Sequence, residues 1–341
     1  MAAKIVVTDH GFPSLELETN LTTENGFELE AFELDTEEEV IEHAAGAKAL
    51  LVHHAPITET VFEEIPSLEA VGRYGTGVDN VDLDAATEHG VQVVNVPAYA
   101  GEEVSTHAFA LLLSVTRRIP AFGREIAADN WHWSNGIPMQ RLRGNTVGFV
   151  GFGAIAQRFR EKLSGFDFDF VAYDPYQSAE EIAEHGVEKV SFDELVGEAE
   201  IVSIHVPLTD ETERMFDGDV FERLPDNAIL INTARGEIVD LDALYRAIDD
   251  GEIYGAGLDV LPEEPPAPED LREHERLVYT PTRGGTPRID DRPPRIGHDG
   301  RRSRAAGRNA GEPGQFAGRL SPPIDPRSPA WARRSSRARN L

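Results

Sequence analysis

The hexad Gly151-Phe152-Gly153-Ala154-Ile155-Ala156 carries the clearest chemistry in the chain. Two glycines and an alanine at this spacing, between an apolar run and a helical pattern, suit a turn that wraps a pyrophosphate. Gly151 permits the tight turn. Gly153 lets the backbone approach phosphate oxygens at a helix N-terminus, where N–H groups lack partners. Ala156 stands where a third small residue allows the helix to pack closely on the strand. Eighteen residues further on, Asp174 ends the next apolar run, and its carboxylate is placed to accept from ribose hydroxyls. Pro175 and Tyr176 follow, rather than an arginine that would welcome a 2′-phosphate. The pattern predicts NAD over NADP.

Such a turn needs a parallel sheet to hold it. Short apolar runs alternate with helical patterns along the chain, which predicts an α/β protein. Candidate strands at 5–7, 49–52, 70–73 and 91–94 form a first unit. A helical stretch over 103–118 follows, apolar at Val104, Ala108, Leu111, Leu112 and Val115. A second unit has candidate strands at 146–150, near 170–173, and at 201–205, 228–231, 256–259 and 277–280. Ser178 with Glu181, and Ser191 with Glu194, fit the capping-box spacing. Asp240 stands where an N-cap would open a helix over 241–249.

Composition limits the alternatives. No cysteine is present, which excludes disulfides and thiolate metal sites. No apolar run reaches the length of a membrane span, and the first residues read as a strand rather than a signal peptide. The expectation is a cytoplasmic protein with no membrane partner. Net charge is −29, unevenly spread. Residues 1–280 carry 18 Lys and Arg against 56 Asp and Glu, a net of −38, while 281–341 carry 14 Arg against five acids, a net of +9. So acidic a surface repels itself in ordinary salt, and molar salt removes much of that penalty. The charge predicts a halophilic protein and disfavours nucleic acid as a partner of residues 1–280.

Further segments carry a family resemblance. They are Arg73-Tyr74-Gly75-Thr76-Gly77-Val78-Asp79-Asn80-Val81-Asp82, His205-Val206-Pro207-Leu208-Thr209, Asn232-Thr233-Ala234-Arg235-Gly236-Glu237-Ile238-Val239-Asp240 and Gly257-Leu258-Asp259-Val260-Leu261-Pro262-Glu263-Glu264-Pro265. Over roughly residues 1–281 the chain resembles the D-isomer-specific 2-hydroxyacid dehydrogenases, in particular the phosphoglycerate dehydrogenase and C-terminal-binding-protein branches. The resemblance implies two doubly wound, Rossmann-like parallel-sheet domains with a cleft between them. A flavodoxin-like substrate domain would span 1–98, an NAD-binding domain 99–285, and an irregular basic tail 286–341. It implies hydride transfer between NAD and a small D-2-hydroxy or 2-oxo acid. Arg235 would bind the substrate carboxylate and carbonyl, a role that suits a planar guanidinium. Arg73, Gly75, Thr76, Gly77 and Val78 would surround the same carboxylate. Glu264 would orient the catalytic histidine, and Asp259 would hold the nicotinamide carboxamide. Thr106, Ala154, Ile155, Val206, Pro207, Thr212, Thr233 and Ala234 would line the cofactor. The helical stretch over 103–133 resembles the arm that pairs subunits, which implies a homodimer.

One position breaks the pattern. The family has Thr-Pro-His-x-Gly-Gly where this chain has Thr280-Pro281-Thr282-Arg283-Gly284-Gly285. Thr282 takes the place of the catalytic histidine, and a hydroxyl does not replace imidazole as a general acid near neutral pH. From there periodicity ends and Arg, Pro and Gly dominate, a composition that predicts a disordered tail. A one-base deletion accounts for the break: CAC GCG GGG reads His-Ala-Gly, and without its first C reads Thr-Arg-Gly, as at Thr282-Arg283-Gly284. The rival reading is a basic arm for nucleic acid or acidic partners. Function therefore divides between a dehydrogenase, an NAD(H)-binding interaction protein and an inactive homologue.

Overall fold

The computed structural model describes residues 2–96, 100–132, 139–264, 266–267 and 274–281. Strands of two to five residues, most of them followed by a helix, build two parallel sheets. The first contains β1 (Ala3–Val7), β2 (Phe27–Ala31), β3 (Ala49–Val52), β4 (Ala70–Arg73) and β5 (Gln92–Val94). Its order is β2-β1-β3-β4-β5, the order of flavodoxin-like sheets. All its pairings are parallel. Helices α1 (Glu16–Glu24), α2 (Glu37–His43), α3 (Glu59–Glu64) and α4 (Leu83–Glu88) make the crossovers. Val6, Leu50, Val52 and Val71 from the strands join Val40, Val61 and Phe62 from the helices in one core.

The second sheet contains β6 (Thr146–Val150), β7 (Asp169–Tyr173), β8 (Glu188–Lys189), β9 (Ile201–Ile204), β10 (Ile229–Asn232), β11 (Gly255–Leu258) and β12 (Leu277–Tyr279). Its order is β12-β11-β10-β9-β6-β7-β8, again all parallel. The helices that cover it are α5 (Gly101–Arg117), α7 (Ala154–Lys162), α8 (Ala179–Ala183), α9 (Phe192–Glu198), α10 (Gly218–Phe221) and α11 (Leu241–Asp249), while α6 (Ile119–Ala127) extends from α5. Separate apolar cores lie on the two faces, one around Phe216, Phe221 and Leu244, the other around Phe149, Phe159 and Leu112. The chain direction across the sheet reverses between β6 and β9. The loops leaving these two strands therefore part, and open a crevice at their carboxyl ends.

The expected caps are present. Ser178 and Ser191 each complete a capping box, and the Asp240 carboxylate accepts from Ala243 N–H. The stretch 103–133 is not one helix. Arg118 adopts a left-handed conformation (φ 51°) between α5 and α6, and Pro120 falls in the first turn of α6. The buried Arg118 guanidinium pairs with Glu275, which anchors this bend. Among the described residues no helix is long and apolar enough to cross a membrane, and no group of three ligating side chains suits a metal ion. Thr282, the tail over 286–341 and Trp133 lie outside the described residues.

Candidate functional site

The glycine turn is built from both sides of the switch point. Gly151 N–H donates to Tyr173 O at 2.8 Å, and His205 N–H donates to Val150 O at 2.7 Å. Gly151 holds φ at +84°, and a Cβ there would lie 2.8 Å from His205 O. Only glycine meets both demands. Gly153 caps α7 with ordinary dihedrals (φ −76°, ψ −170°), and a Cβ on it would meet nothing within 4 Å. That open volume adjoins the free N–H groups of a nine-residue helix, as a pyrophosphate requires. Ala154 is exposed and Ile155 half-buried at the mouth, while Ala156 is fully buried against the sheet.

Asp174 is buried at the end of β7. Its Oδ2 accepts from Phe152 N–H at 2.9 Å, and its Oδ1 accepts from Tyr176 N–H at 2.8 Å and Gln177 N–H at 3.1 Å. The carboxylate thus fastens the glycine turn before any ribose arrives. A carboxylate has about four lone-pair sites, so this does not exhaust its capacity.

On the far wall, Val206 and Pro207 open the loop after β9. Thr212 closes that loop, its hydroxyl donating to Pro207 O at 2.7 Å. Thr233 and Ala234 follow β10. The Thr233 Oγ1 is buried and has no partner among the described residues, so it is able to hydrogen-bond a ligand. Thr106 on α5 bonds its own helix at Glu102 O instead. The open cap, the unsatisfied hydroxyl and the acid at the end of β7 together fit a dinucleotide.

Arg235 is the cation of the site, and it reaches the first sheet's loops. Its Nε donates to Asp79 Oδ2 at 2.9 Å and its Nη2 to Asp79 Oδ1 at 2.6 Å, a fork-to-fork pair. Its Nη1 donates to Ala234 O at 2.7 Å. Gly77 passes so close that a Cβ would lie 1.9 Å from Arg235 Nη2. Burial raises the Asp79 pKa, but the Arg235 hydrogen bond and charge outweigh it and hold the carboxyl below its ordinary value. The neighbouring backbone is fixed by Thr76 Oγ1 donating to Val96 O, Val96 N–H to Gly75 O, and Val81 N–H to Val78 O. Arg73 lies across Gly75. The structure thus gathers Arg235 with Gly75, Thr76, Gly77 and Val78 around one loop, and adds Asp79.

Asp259 is buried at the end of β11. It accepts from Thr280 Oγ1 at 2.7 Å and contacts His107 Nε2 at 3.0 Å. Glu264 Oε1 accepts from Leu261 N–H at 2.9 Å, so this carboxylate shapes its own loop. His205 packs among Phe149 and Phe159, where desolvation pushes its pKa down to about 3, and it bonds Ser203 Oγ at 2.8 Å.

Sequence reasoning passed over Asp79 and His107. Asp79 lay inside a quoted motif, and the one available signal was an acid in a loop expected to meet a lone arginine. His107 follows Thr106 on a helix, and nothing in its neighbours along the chain points to Asp259.

Comparison with known proteins agrees with this geometry. The sequence model of the NAD binding domain of D-isomer specific 2-hydroxyacid dehydrogenases matches residues 109–284. D-3-phosphoglycerate dehydrogenase of Archaeoglobus fulgidus is 35% identical over 282 residues, 82% of this chain and 52% of the relative. Glyoxylate reductase of Korarchaeum cryptofilum is 39% identical over 233 residues, 66% of this chain and 69% of the relative. The structure of D-lactate dehydrogenase from Aquifex aeolicus, complexed with NAD and lactic acid, superposes with a TM-score of 0.73 at 27% identity, covering 82% of this chain and 88% of that one. The chain spans about half the length of the phosphoglycerate dehydrogenases it matches.

Proposed function

The chain belongs to the D-isomer specific 2-hydroxyacid dehydrogenase family, and from that premise we propose that it binds NAD across the 151–156 turn and acts on a small D-2-hydroxy or 2-oxo acid. The observation that carries this reading is the pairing of Gly151 and Gly153: one is forced into a turn that only glycine adopts, the other faces open space at a helix N-terminus. Bound there, the dinucleotide supplies the hydride donor or acceptor. Thr233 and Asp259, after β10 and β11, would hold its nicotinamide end, and Asp174 would hold its ribose. The N–H groups of Arg235 bind the substrate carboxylate and polarise its carbonyl. Asp79 keeps the guanidinium at the first-sheet loop, where Gly75 to Val78 complete the cradle.

The proton step is the weak one. The alkoxide formed in reduction needs a general acid, and the family's histidine position holds Thr282. Loss of that acid costs about 10² to 10⁴ in rate. Thr282 also favours a second reading, an NAD(H)-binding interaction protein or an inactive homologue that keeps the cofactor fold. Support for a homodimer comes from α5 and α6, where Ile119, Ile126 and the nearby Trp131 stand exposed. A salt-rich cytoplasm is the setting that the acidic surface fits.

NADH oxidation with glyoxylate, hydroxypyruvate and pyruvate in molar KCl tests the reading. The expected result is nucleotide binding with slow turnover, raised by Thr282→His with an in-frame C-terminus. Binding without turnover in both proteins would favour the interaction protein. No binding would remove both.

A further inference from the structure

Aromatic rings gather at the same end of the first sheet as the carboxylate cradle. The carboxyl ends of β1, β3 and β4 lie side by side, with Val7 paired to Leu51 and Val52 to Arg73. Phe12 lies in the loop that leaves β1, His53 follows β3 and Tyr74 follows β4. The Phe12 ring packs edge-on against Tyr74, with centroids 4.9 Å apart, and stacks on His53 at 6.3 Å. All three rings are half-buried, so each keeps surface for a ligand. The wall they form is continuous with the cradle. Tyr74 N–H donates to Val52 O at 2.8 Å, and the next residue is Gly75. Arg73 lies across Gly75, and Gly77 passes against Arg235.

A 2-oxo acid carries its side chain one bond beyond the carbonyl. Once its carboxylate and carbonyl rest on Arg235 and the Gly75 to Val78 loop, the side chain emerges beside that loop, where these rings stand. Resting on the proposed reading of Arg235 and this loop as the carboxylate cradle, we infer that Phe12, His53 and Tyr74 form the pocket for the substrate's side chain, and that this side chain is an uncharged ring rather than a phosphate ester or a second carboxylate.

The chemistry of the wall supports that choice. Rings already stacked and edge-on offer a further ring the offset and edge contacts that aromatic groups prefer. A dianion meets the opposite conditions. Burial, followed by the charges of His54 and Arg73, pushes the His53 pKa down to about 4 against the pull of Asp9, so the imidazole is neutral near pH 7. Burial, followed by the charge and hydrogen bond of Glu18, raises the Tyr74 pKa, so the phenol is neutral as well. Acids surround the rings: Glu18 acts on Tyr74, Asp9 acts on both Tyr74 and His53, and Glu33 lies 3.6 Å from His10, whose ring stacks on Phe12. Arg73 is the cation that acts on His53, and it lies in the cradle, where its charge also acts on Asp79. A phosphate is held by guanidinium forks or several charged donors, and this wall offers its rings instead.

The test is equilibrium binding of three acids to the full chain saturated with NADH, in molar KCl at about neutral pH. Binding needs no proton donor, so Thr282 does not obscure the result. Pyruvate, phenylpyruvate and 3-phosphohydroxypyruvate share the oxo-acid head and differ in the side chain. Phenylpyruvate should bind about tenfold or more tighter than pyruvate, and 3-phosphohydroxypyruvate no tighter than pyruvate. If turnover accompanies binding, kcat/KM should follow the same order. Phe12→Leu should lower the phenylpyruvate to pyruvate ratio, and Phe12→Ala should lower it further. Phenylpyruvate no tighter than pyruvate, or 3-phosphohydroxypyruvate the tightest of the three, overturns the inference. A ratio undiminished in a folded Phe12→Ala chain does so too. The wild-type series decides between side chains even if both variants misfold. Binding of NADH without binding of any of the three acids removes the cradle itself, and the inference with it.

Discussion

Alanine at Gly153 separates fold from ligand. Gly153 has dihedrals that any residue adopts, and a Cβ there meets nothing within 4 Å. The unfolded chain loses freedom on this change, worth about 0.4 to 1 kcal/mol in favour of folding. Alanine is a poorer N-cap than glycine by a similar amount. The two nearly cancel, so the unfolding midpoint should move by no more than about 3 °C for a protein of this size. The new methyl, however, enters the space beside the α7 N–H groups. If a pyrophosphate lies there, NADH affinity falls by about tenfold or more, at least about 1.4 kcal/mol. Gly151→Ala is the contrast. It demands φ +84° from alanine, about 1 to 2 kcal/mol, and drives a methyl to 2.8 Å from His205 O, a further 1 to 3 kcal/mol or so. Stability and binding then fall together. Thermal unfolding and NADH titration of both variants decide the matter. Unchanged NADH affinity in Gly153→Ala would refute the placement of the pyrophosphate.

Other outcomes follow from single contacts. A double-mutant cycle of Asp79→Asn with Arg235→Lys, read by urea unfolding, should give a coupling of about 1 kcal/mol, modest because the pair is about one-third exposed. Asp9→Asn should cost about 1 to 3 kcal/mol, because His53, His54 and Ala55 N–H all donate to its two oxygens and an amide would turn an N–H toward one of them. Burial raises the Asp9 pKa, but those donors and the Thr8 hydroxyl outweigh it and the net shift is downward from 3.8. Its stabilisation is therefore complete above that value and is lost as pH falls through the lower folded-state pKa, and Asp9→Asn should flatten that acid limb in a pH-dependent unfolding series. With a net charge of −29, the unfolding midpoint should rise steadily from low salt to molar KCl, and a midpoint insensitive to KCl would contradict the salt-adapted reading.

How much of this was legible beforehand differs by element. Strands β3, β4 and β6 were readable to the residue, because each centres on a short apolar run bounded by polar or turn residues. The remaining candidate strands lie within a residue or two of β1, β5, β7 and β9 to β12. The first sheet's edge was not readable. β2 runs Phe-Glu-Leu-Glu-Ala with no fully buried residue, since only one neighbour pairs with it and much of it meets solvent. Helix α1 is nearly as polar, with Thr22 its one buried residue. Thr36 and Glu39 of α2 form a third capping box by the same spacing as the two recognised, and needed only the same search. In the site, the turn and its acid were legible because their spacing is local. The Arg235–Asp79 pair and the His107–Asp259–Thr280 cluster join residues 156, 152 and 173 positions apart, and only the packing of the sheets brings them together.

The central claim is that an adenine dinucleotide lies across the glycine turn between β6 and α7. Calorimetric titration of the intact chain with NADH in molar KCl tests it most directly. One saturable site per chain, weakened by Gly153→Ala, is the predicted result. No heat of binding from a folded protein would contradict it.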